Sequence, residues 1–235
     1  MLNLFVSAHS QRGATREENQ DTIGVGSWRN VEGERDTTEI QFSEDQLPVL
    51  CLLADGIGGH SNGRIASRTA TDTIHRIFNL SPDEFDAEQA VSEAHAALVL
   101  TNDYSNRPMG TTVVGLLVGS KQVHLFNVGD SKSHRIRGSE IQELTVEDRH
   151  HNENSKAITQ CLGGGIKRPN VHQLTLEYEP GDKFLLSSDG VTDHLSNNQI
   201  LEVLAEGHSN QAQNICNNAL TFGSDDDISA IFIEI

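Results

Sequence analysis

The chain has 235 residues, 34 acidic against 17 basic, for a formal net charge of -17 at neutral pH. A field of that sign repels nucleic acid and anionic membrane surfaces, which excludes both as electrostatic partners. The length suits a single domain, 1–235, that buries about 70–75% of its unfolded surface, and an anionic substrate would be repelled unless bound cations reversed the field locally.

Residues 1–6 carry no basic region or long apolar run, and no later window approaches the ~18 apolar residues of a membrane span. Cys51, Cys161 and Cys216 lie far apart without a C-x-x-C pair, which points away from a disulfide framework or a zinc site. The expectation is a soluble, cytoplasmic protein in a reducing compartment, monomeric by default.

In chain order, runs rich in β-branched and aliphatic residues predict strands over 2–8, 49–54, 111–118, 122–128, 171–178, 183–186 and 228–233. Gly119-Ser120 and Gly138-Ser139 read as hairpin turns. Helices are expected over 64–78, from the capping serine and proline of Ser81-Pro82-Asp83-Glu84 to about residue 102, from Ser196 with its capping partner Gln199, and over 212–220. Val91, Ala94 and Leu98 share one face of the second. Residues 29–46 and 147–156 are charged, lack periodicity and read as exposed loops. Tight turns between short strands argue for antiparallel sheets covered by helical layers rather than a Rossmann-like alternation.

One arrangement recurs: an apolar strand runs directly into an aspartate beside a glycine. Residues 49–54 deliver Asp55-Gly56, residues 184–188 deliver Asp189-Gly190, and residues 125–129 deliver Asp130; Asp225-Asp226-Asp227 precede the last strand, and Asn19-Gln20-Asp21 lie in the first loop. Alone, each Asp-Gly is a turn. Together, carboxylates on neighbouring strand ends converge on one sheet edge, where anions cost several kcal/mol unless protonated or compensated by cations. Oxygen ligands without cysteine or histidine clusters select hard ions such as Mg²⁺ or Mn²⁺.

Seven motifs, in order, then resemble the metal-dependent protein phosphatases of the protein phosphatase 2C (PPM) family in their compact bacterial form. They are Arg16-Glu17-Glu18-Asn19-Gln20-Asp21, Asp55-Gly56-Ile57-Gly58-Gly59-His60, Met109-Gly110-Thr111-Thr112, Gly129-Asp130-Ser131, Ile158-Thr159-Gln160-Cys161-Leu162-Gly163, Ser188-Asp189-Gly190-Val191-Thr192-Asp193 and Asp226-Asp227-Ile228-Ser229. The resemblance implies an α+β fold, a four-layer αββα sandwich of two antiparallel sheets flanked by helices. It also implies a serine/threonine phosphoprotein phosphatase with two Mn²⁺ or Mg²⁺ ions and a phosphorylated protein substrate, opposing a serine/threonine kinase.

By similarity, Asp55, Asp189 and Asp226 would hold one metal, while Asp21, Asp55 and the Gly56 carbonyl would hold the other; Asp130 with Asp189 matches a third, weaker position. Counting back from Ile228-Ser229 favours Asp226 over Asp225 and Asp227. Two cations about 3.5–4 Å apart would generate hydroxide at neutral pH for direct in-line attack on phosphorus. Arg16 would place its guanidinium on two phosphate oxygens, and His60 would be the general acid. Asn19 and Asp193 would orient ligands or loops.

The sequence departs from the family pattern in a shortened flap, residues 144–157, and in Lys132 and Gln160, which stand where relatives carry arginine. Two alternatives remain: a catalytically weak phosphatase-fold binding module, and a serine hydrolase built on Gly59-His60-Ser61-Asn62-Gly63, with Ser61 as nucleophile, Asp193 as acid and His208 as base.

Overall fold

In the computed structural model, residues 3–30, 35–57, 61–102, 109–150, 157–207 and 209–235 are described. The N-terminal part comprises β1 (Asn3–Gln11), β2 (Asp21–Val25), β3 (Trp28–Arg29), β4 (Arg35–Ser43) and β5 (Val49–Ile57), followed by α1 (Ser61–Leu80) and α2 (Ala87–Asn102). The middle holds β6 (Gly110–Thr111), β7 (Val113–Val118), β8 (Gln122–Val128), β9 (Lys132–Arg137) and β10 (Glu140–Glu143). Then come β11 (Leu162–Gly163), β12 (His172–Glu177), β13 (Lys183–Ser187), α3 (Asp189–Thr192), α4 (Asn197–Ala205), α5 (Gln211–Thr221) and β14 (Ile228–Glu234).

One sheet runs β10-β9-β13-β14-β1-β4; the other runs β11-β6-β5-β7-β8-β12, with β2 and β3 joined to it through β5. Every named strand pairing among the described residues is antiparallel. Alternation along the strands builds the layers. Cys51 and Leu53 of β5 face Val6, Leu186 and Ile231 of the opposite sheet, whereas Leu50 and Leu52 turn outward to Ala66, Ala70 and Ile74 of α1 and Leu98 of α2. On β14, Ile231 and Ile233 point inward while Ala230 and Phe232 meet Ile200 of α4 and Ile215 of α5. The result is the expected αββα sandwich with three apolar seams, and each fully buried aliphatic side chain contributes about 1.5–3 kcal/mol.

Several expectations needed correction. Residues 29–46 are not one loop, because β4 occupies half of that stretch as an edge strand on β1, with Val6 opposite Ile40 and Leu4 opposite Phe42. Only those two apolar side chains face the core, and the alternate positions are charged or polar, as suits an edge that must not recruit other strands. The helix expected from Ser81 is interrupted: Pro82–Glu84 form a single 3₁₀ turn and α2 begins at Ala87. Asp86 takes the capping role, accepting from the Gln89 N–H at 3.0 Å, while Ser81 makes no side-chain cap bond. The expected strand 111–118 breaks at Thr112. Strands β2, β3, β9, β10 and β11 were not anticipated, although the Gly138-Ser139 turn does join β9 to β10, with Gly138 at φ +60°. The Ser196–Gln199 capping box forms at the start of α4.

The stretch 147–156 is not an exposed loop at its start, since Asp148 is buried and the Arg149 side chain is only 10% exposed. Part of the flap, 151–156, lies outside the described residues, as do His60 and His208. Ser61, the nucleophile of the hydrolase alternative, opens α1, and β5, the strand preceding it, belongs to an antiparallel sheet, which is not a nucleophile elbow. Its acid partner Asp193 is ion-paired to Arg149. No helix among the described residues is long and apolar enough to cross a membrane. The three cysteines are free and buried.

Candidate metal centre

Strand register places the first two carboxylates. Asp21 opens β2 and pairs directly with Asp55 of β5, so two aspartates stand opposite each other on adjacent strands, an arrangement that is destabilising for like charges. The Met109–Thr112 motif clamps Asp55 from the other side. Thr112 Oγ1 accepts from the Asp55 N–H at 3.0 Å, and the Asp55 carbonyl accepts from Thr112 N–H at 2.9 Å and Thr111 Oγ1 at 2.8 Å. Thr112 Oγ1 also lies 2.8 Å from Ser131 Oγ, tying this strand to the Gly-Asp-Ser turn. At Gly56 the backbone of α1 comes so close that a Cβ would fall 2.2 Å from the Gly63 carbonyl oxygen, so both positions require glycine.

The other sheet delivers the remaining acids. Asp189 stands at the end of β13 as the first residue of α3, held there by the mutual hydrogen bonds of Ser188 and Ser229 at 3.0 and 3.1 Å. Asp226 precedes β14 and is ion-paired to Arg16. Its neighbour Asp227 turns away and accepts from the backbone N–H groups of Gly13 and Gln20 at 2.9 and 2.8 Å, fixing the loop that carries Arg16 and Asn19. Asn19 in turn accepts from the Asp21 N–H at 3.0 Å and donates to Ser10 Oγ at 2.8 Å. Asn19 and Asp227 therefore position the loop.

The electrostatics are those of crowded anions. Burial raises the Asp21 and Asp55 pKa values well above the usual carboxylate range; Asp227, Asp226 and Asp189 add to the first shift, and Asp21, Asp189, Asp226 and Asp130 to the second. Asp189 is pushed up to about 6, chiefly by desolvation and then by Asp130 and Asp226. Both carboxylate oxygens of Asp21, and Oδ1 of Asp130 and of Asp189, are buried without a hydrogen-bond partner. Ser229 Oγ lies close enough to lower the Asp21 pKa somewhat, yet it donates to Ser10 Oγ at 2.8 Å. Buried carboxylate oxygens left without donors require either a proton, as the raised pKa values favour, or a cation.

Sequence reading did not place Arg149 here. Its Nε and Nη2 donate to Asp130 Oδ2 at 2.8 and 2.6 Å, Nη2 also reaches Asp189 Oδ2 at 2.8 Å, and Nη1 reaches Asp193 at 3.0 Å. Even so, burial outweighs the arginine and leaves the Asp130 pKa raised. The only sequence signal was a charged tetrad, Asp148-Arg149-His150-His151, with nothing to say where it folds. Among the described residues, no three acidic, histidine or cysteine side chains are set to hold a metal ion as they stand. The acids are instead distributed around Arg149 and Arg16. The donor set, hard oxygens on four strand ends with several lone pairs unengaged, still fits Mg²⁺ or Mn²⁺.

The profile of protein phosphatase 2C matches residues 24–222. The chain belongs to the protein phosphatase 2C family. Within that family it is similar to the serine/threonine protein phosphatase PstP of Mycobacterium tuberculosis, 25% identical over all of this chain and 45% of the relative. It also resembles the protein phosphatase PhpP of Streptococcus pneumoniae, 30% identical over 66% of this chain and 72% of the relative. The chain thus spans less than half the length of PstP. Among solved structures, the S. agalactiae serine/threonine phosphatase superposes with a TM-score of 0.79 at 22% identity over 99% of each chain. The catalytic domain of PstP, in complex with two manganese ions, gives 0.76 at 24% identity over 99% of each chain. These likenesses establish the protein phosphatase 2C fold, and the strand-end aspartates occupy one edge of it.

Proposed function

We propose that this chain is a metal-dependent serine/threonine phosphoprotein phosphatase, 1–235 forming one phosphatase domain with a shortened flap. The observation that carries the reading is the facing pair Asp21 and Asp55, joined by Asp189 from the other sheet, with both carboxylate oxygens of Asp21 and one of Asp189 buried and without donors. Asp55, Asp189 and Asp226 would hold one divalent ion, and Asp21, Asp55 and the Gly56 carbonyl the other. The two manganese ions of the PstP catalytic domain support a two-ion site. Bound there, such ions supply Lewis acidity that makes water a competent nucleophile toward phosphorus and neutralises phosphoryl charge.

The chain's own groups do the rest. Arg16, paired with Asp226 and 41% exposed, is free to turn its planar guanidinium onto two phosphate oxygens and hold the phosphoryl group for in-line attack. Asn19 and Asp227 keep the Arg16 loop against the acidic edge. His60, at the end of the glycine-rich segment after Asp55, is proposed to protonate the departing serine or threonine oxygen. The substrate is a phosphorylated protein, and the partner activity a serine/threonine kinase. A scaffold without turnover is disfavoured because all the acidic positions are occupied by aspartate.

The test is hydrolysis of p-nitrophenyl phosphate and of a phosphothreonine peptide by the purified chain, with Mn²⁺ or with EDTA, beside Asp189→Ala. Turnover that needs metal and collapses in the variant supports the reading. A folded protein that turns over neither substrate with any divalent ion overturns it.

A further inference from the structure

The short flap brings a cation of its own into the acidic edge, and its seat is built rather than incidental. The backbone on either side of Arg149 is pinned. Asp148 N–H donates to the Gly129 carbonyl and Gly129 N–H donates to Asp148 Oδ2, both at 3.0 Å. Asp148 Oδ1 is held by His172 Nε2 at 3.0 Å, the Asp148 carbonyl accepts from Thr159 N–H at 2.8 Å, and Arg149 bridges to Ile158. Gly129, at φ +104°, is the residue directly before Asp130. The segment that presents the arginine is therefore locked to the turn that presents its main acceptor.

The position of the guanidinium decides what it displaces. An ion bridging Asp130 and Asp189 through these oxygens would lie about 2.0–2.2 Å from each. Arg149 Nη2 already lies 2.6 Å from Asp130 Oδ2 and 2.8 Å from Asp189 Oδ2, in the same space. Each of these carboxylates gives Oδ2 to the arginine and keeps Oδ1 buried and unengaged. For Asp189, the remaining oxygen is what the two-ion site needs. The planar fork, donating to three carboxylates from three nitrogens, suits this corner better than a point charge.

We propose that Arg149 is this chain's built-in replacement for a third divalent ion: its guanidinium fills the corner between Asp130 and Asp189, so that the site takes up two ions and no more. The inference rests on the two-ion phosphatase reading above and deepens it, assigning Asp130 to the arginine instead of to metal. The flap is then an internal counter-charge whose removal opens a further cation site.

The experiment is Mn²⁺ stoichiometry on the purified chain by equilibrium dialysis, with free Mn²⁺ read by electron paramagnetic resonance, which needs no turnover. Wild type is expected to bind two ions, Arg149→Met three, and Arg149→Met with Asp130→Asn two again. Asp130→Asn alone keeps two, and this variant serves if Arg149→Met does not fold. Three ions in wild type, or the loss of one in Asp130→Asn, overturns the assignment, as does a folded Arg149→Met that still binds two. An active wild type holding three ions defeats only the role given to Arg149, whereas a folded wild type that binds no Mn²⁺ and turns over no phosphate ester defeats the phosphatase reading itself.

Discussion

Two arginines in this protein face aspartates in partly buried settings, and the outcomes for the aspartates are opposite. At the far end of β9, Arg137 grips Asp182 with two hydrogen bonds of 2.6 Å, while Asp182 also accepts the Glu179 N–H at 2.9 Å. That carboxylate is nearly inaccessible yet satisfied, and the Arg137 hydrogen bonds hold its pKa below the ordinary value. At the acidic edge, Arg149 is divided among Asp130, Asp189 and Asp193, and the pKa values of Asp130 and Asp189 are raised in spite of it. One cation per buried anion makes a structural pair; one cation among three leaves a deficit, and a deficit of positive charge is what recruits metal. The count of donors against acceptors separates scaffold from site more sharply than burial does.

The contrast can be broken most forcefully at the deficient end. Asp189→Ala, or Asp55→Asn, is expected to lower turnover of a phosphothreonine peptide by about 10²–10³-fold, the loss usual for one preorganised electrostatic partner, while leaving a folded circular-dichroism spectrum. Arg149→Met removes a cation shared by Asp130, Asp189 and Asp193, and should destabilise the metal-free protein by about 3 kcal/mol in urea unfolding. Saturating Mn²⁺ should recover most of that loss, and a variant equally destabilised with and without Mn²⁺ would contradict the charge-balance account.

A pH series sharpens the same point. Because the Asp189 pKa in the folded protein, about 6, lies above its unfolded value, the folded state holds the proton more tightly. Its contribution is therefore fully present below about pH 4 and is lost as pH rises to about 6, an effect of about 2–3 kcal/mol. Thermal unfolding in EDTA should show this loss relative to Asp189→Asn, and Mn²⁺ should abolish the difference at neutral pH. The balanced end has the opposite sign. Asp182→Asn should cost about 1 kcal/mol at neutral pH, and the difference should shrink as acid carries the solution below the depressed Asp182 pKa, read as converging melting temperatures.

How far this was legible in the sequence follows the range of the interactions involved. The strand-to-aspartate junctions at Asp55 and Asp189 are local patterns; Asp55 lies third from the end of β5 and Asp189 just beyond β13, one on each sheet. The choice of Asp226 over its neighbours was framed by counting, and the structure turns Asp227 toward the Gly13 and Gln20 backbone. β4 was missed because an edge strand with two inward apolar side chains has no strong period. The start of α2 was misplaced because Asp86 and Ser81 both look like caps, and only the fold chooses between them. Arg149 was unreadable as a partner of Asp130, 19 residues away, since pairing through a pinned loop leaves no trace in spacing.

The facing of Asp21 and Asp55 has a wider implication. They meet because β2 and β5 are in one register, and that same register seats Ile23 and Val25 in the seam between the sheets. A slip of one residue would turn those side chains out of the seam and carry Asp21 to the opposite face in the same movement. The apolar seam thus acts as a ruler for the chemistry: its side chains are open to exchange for others of similar bulk without disturbing the acidic edge, but a one-residue insertion in either strand would forfeit fold and site together.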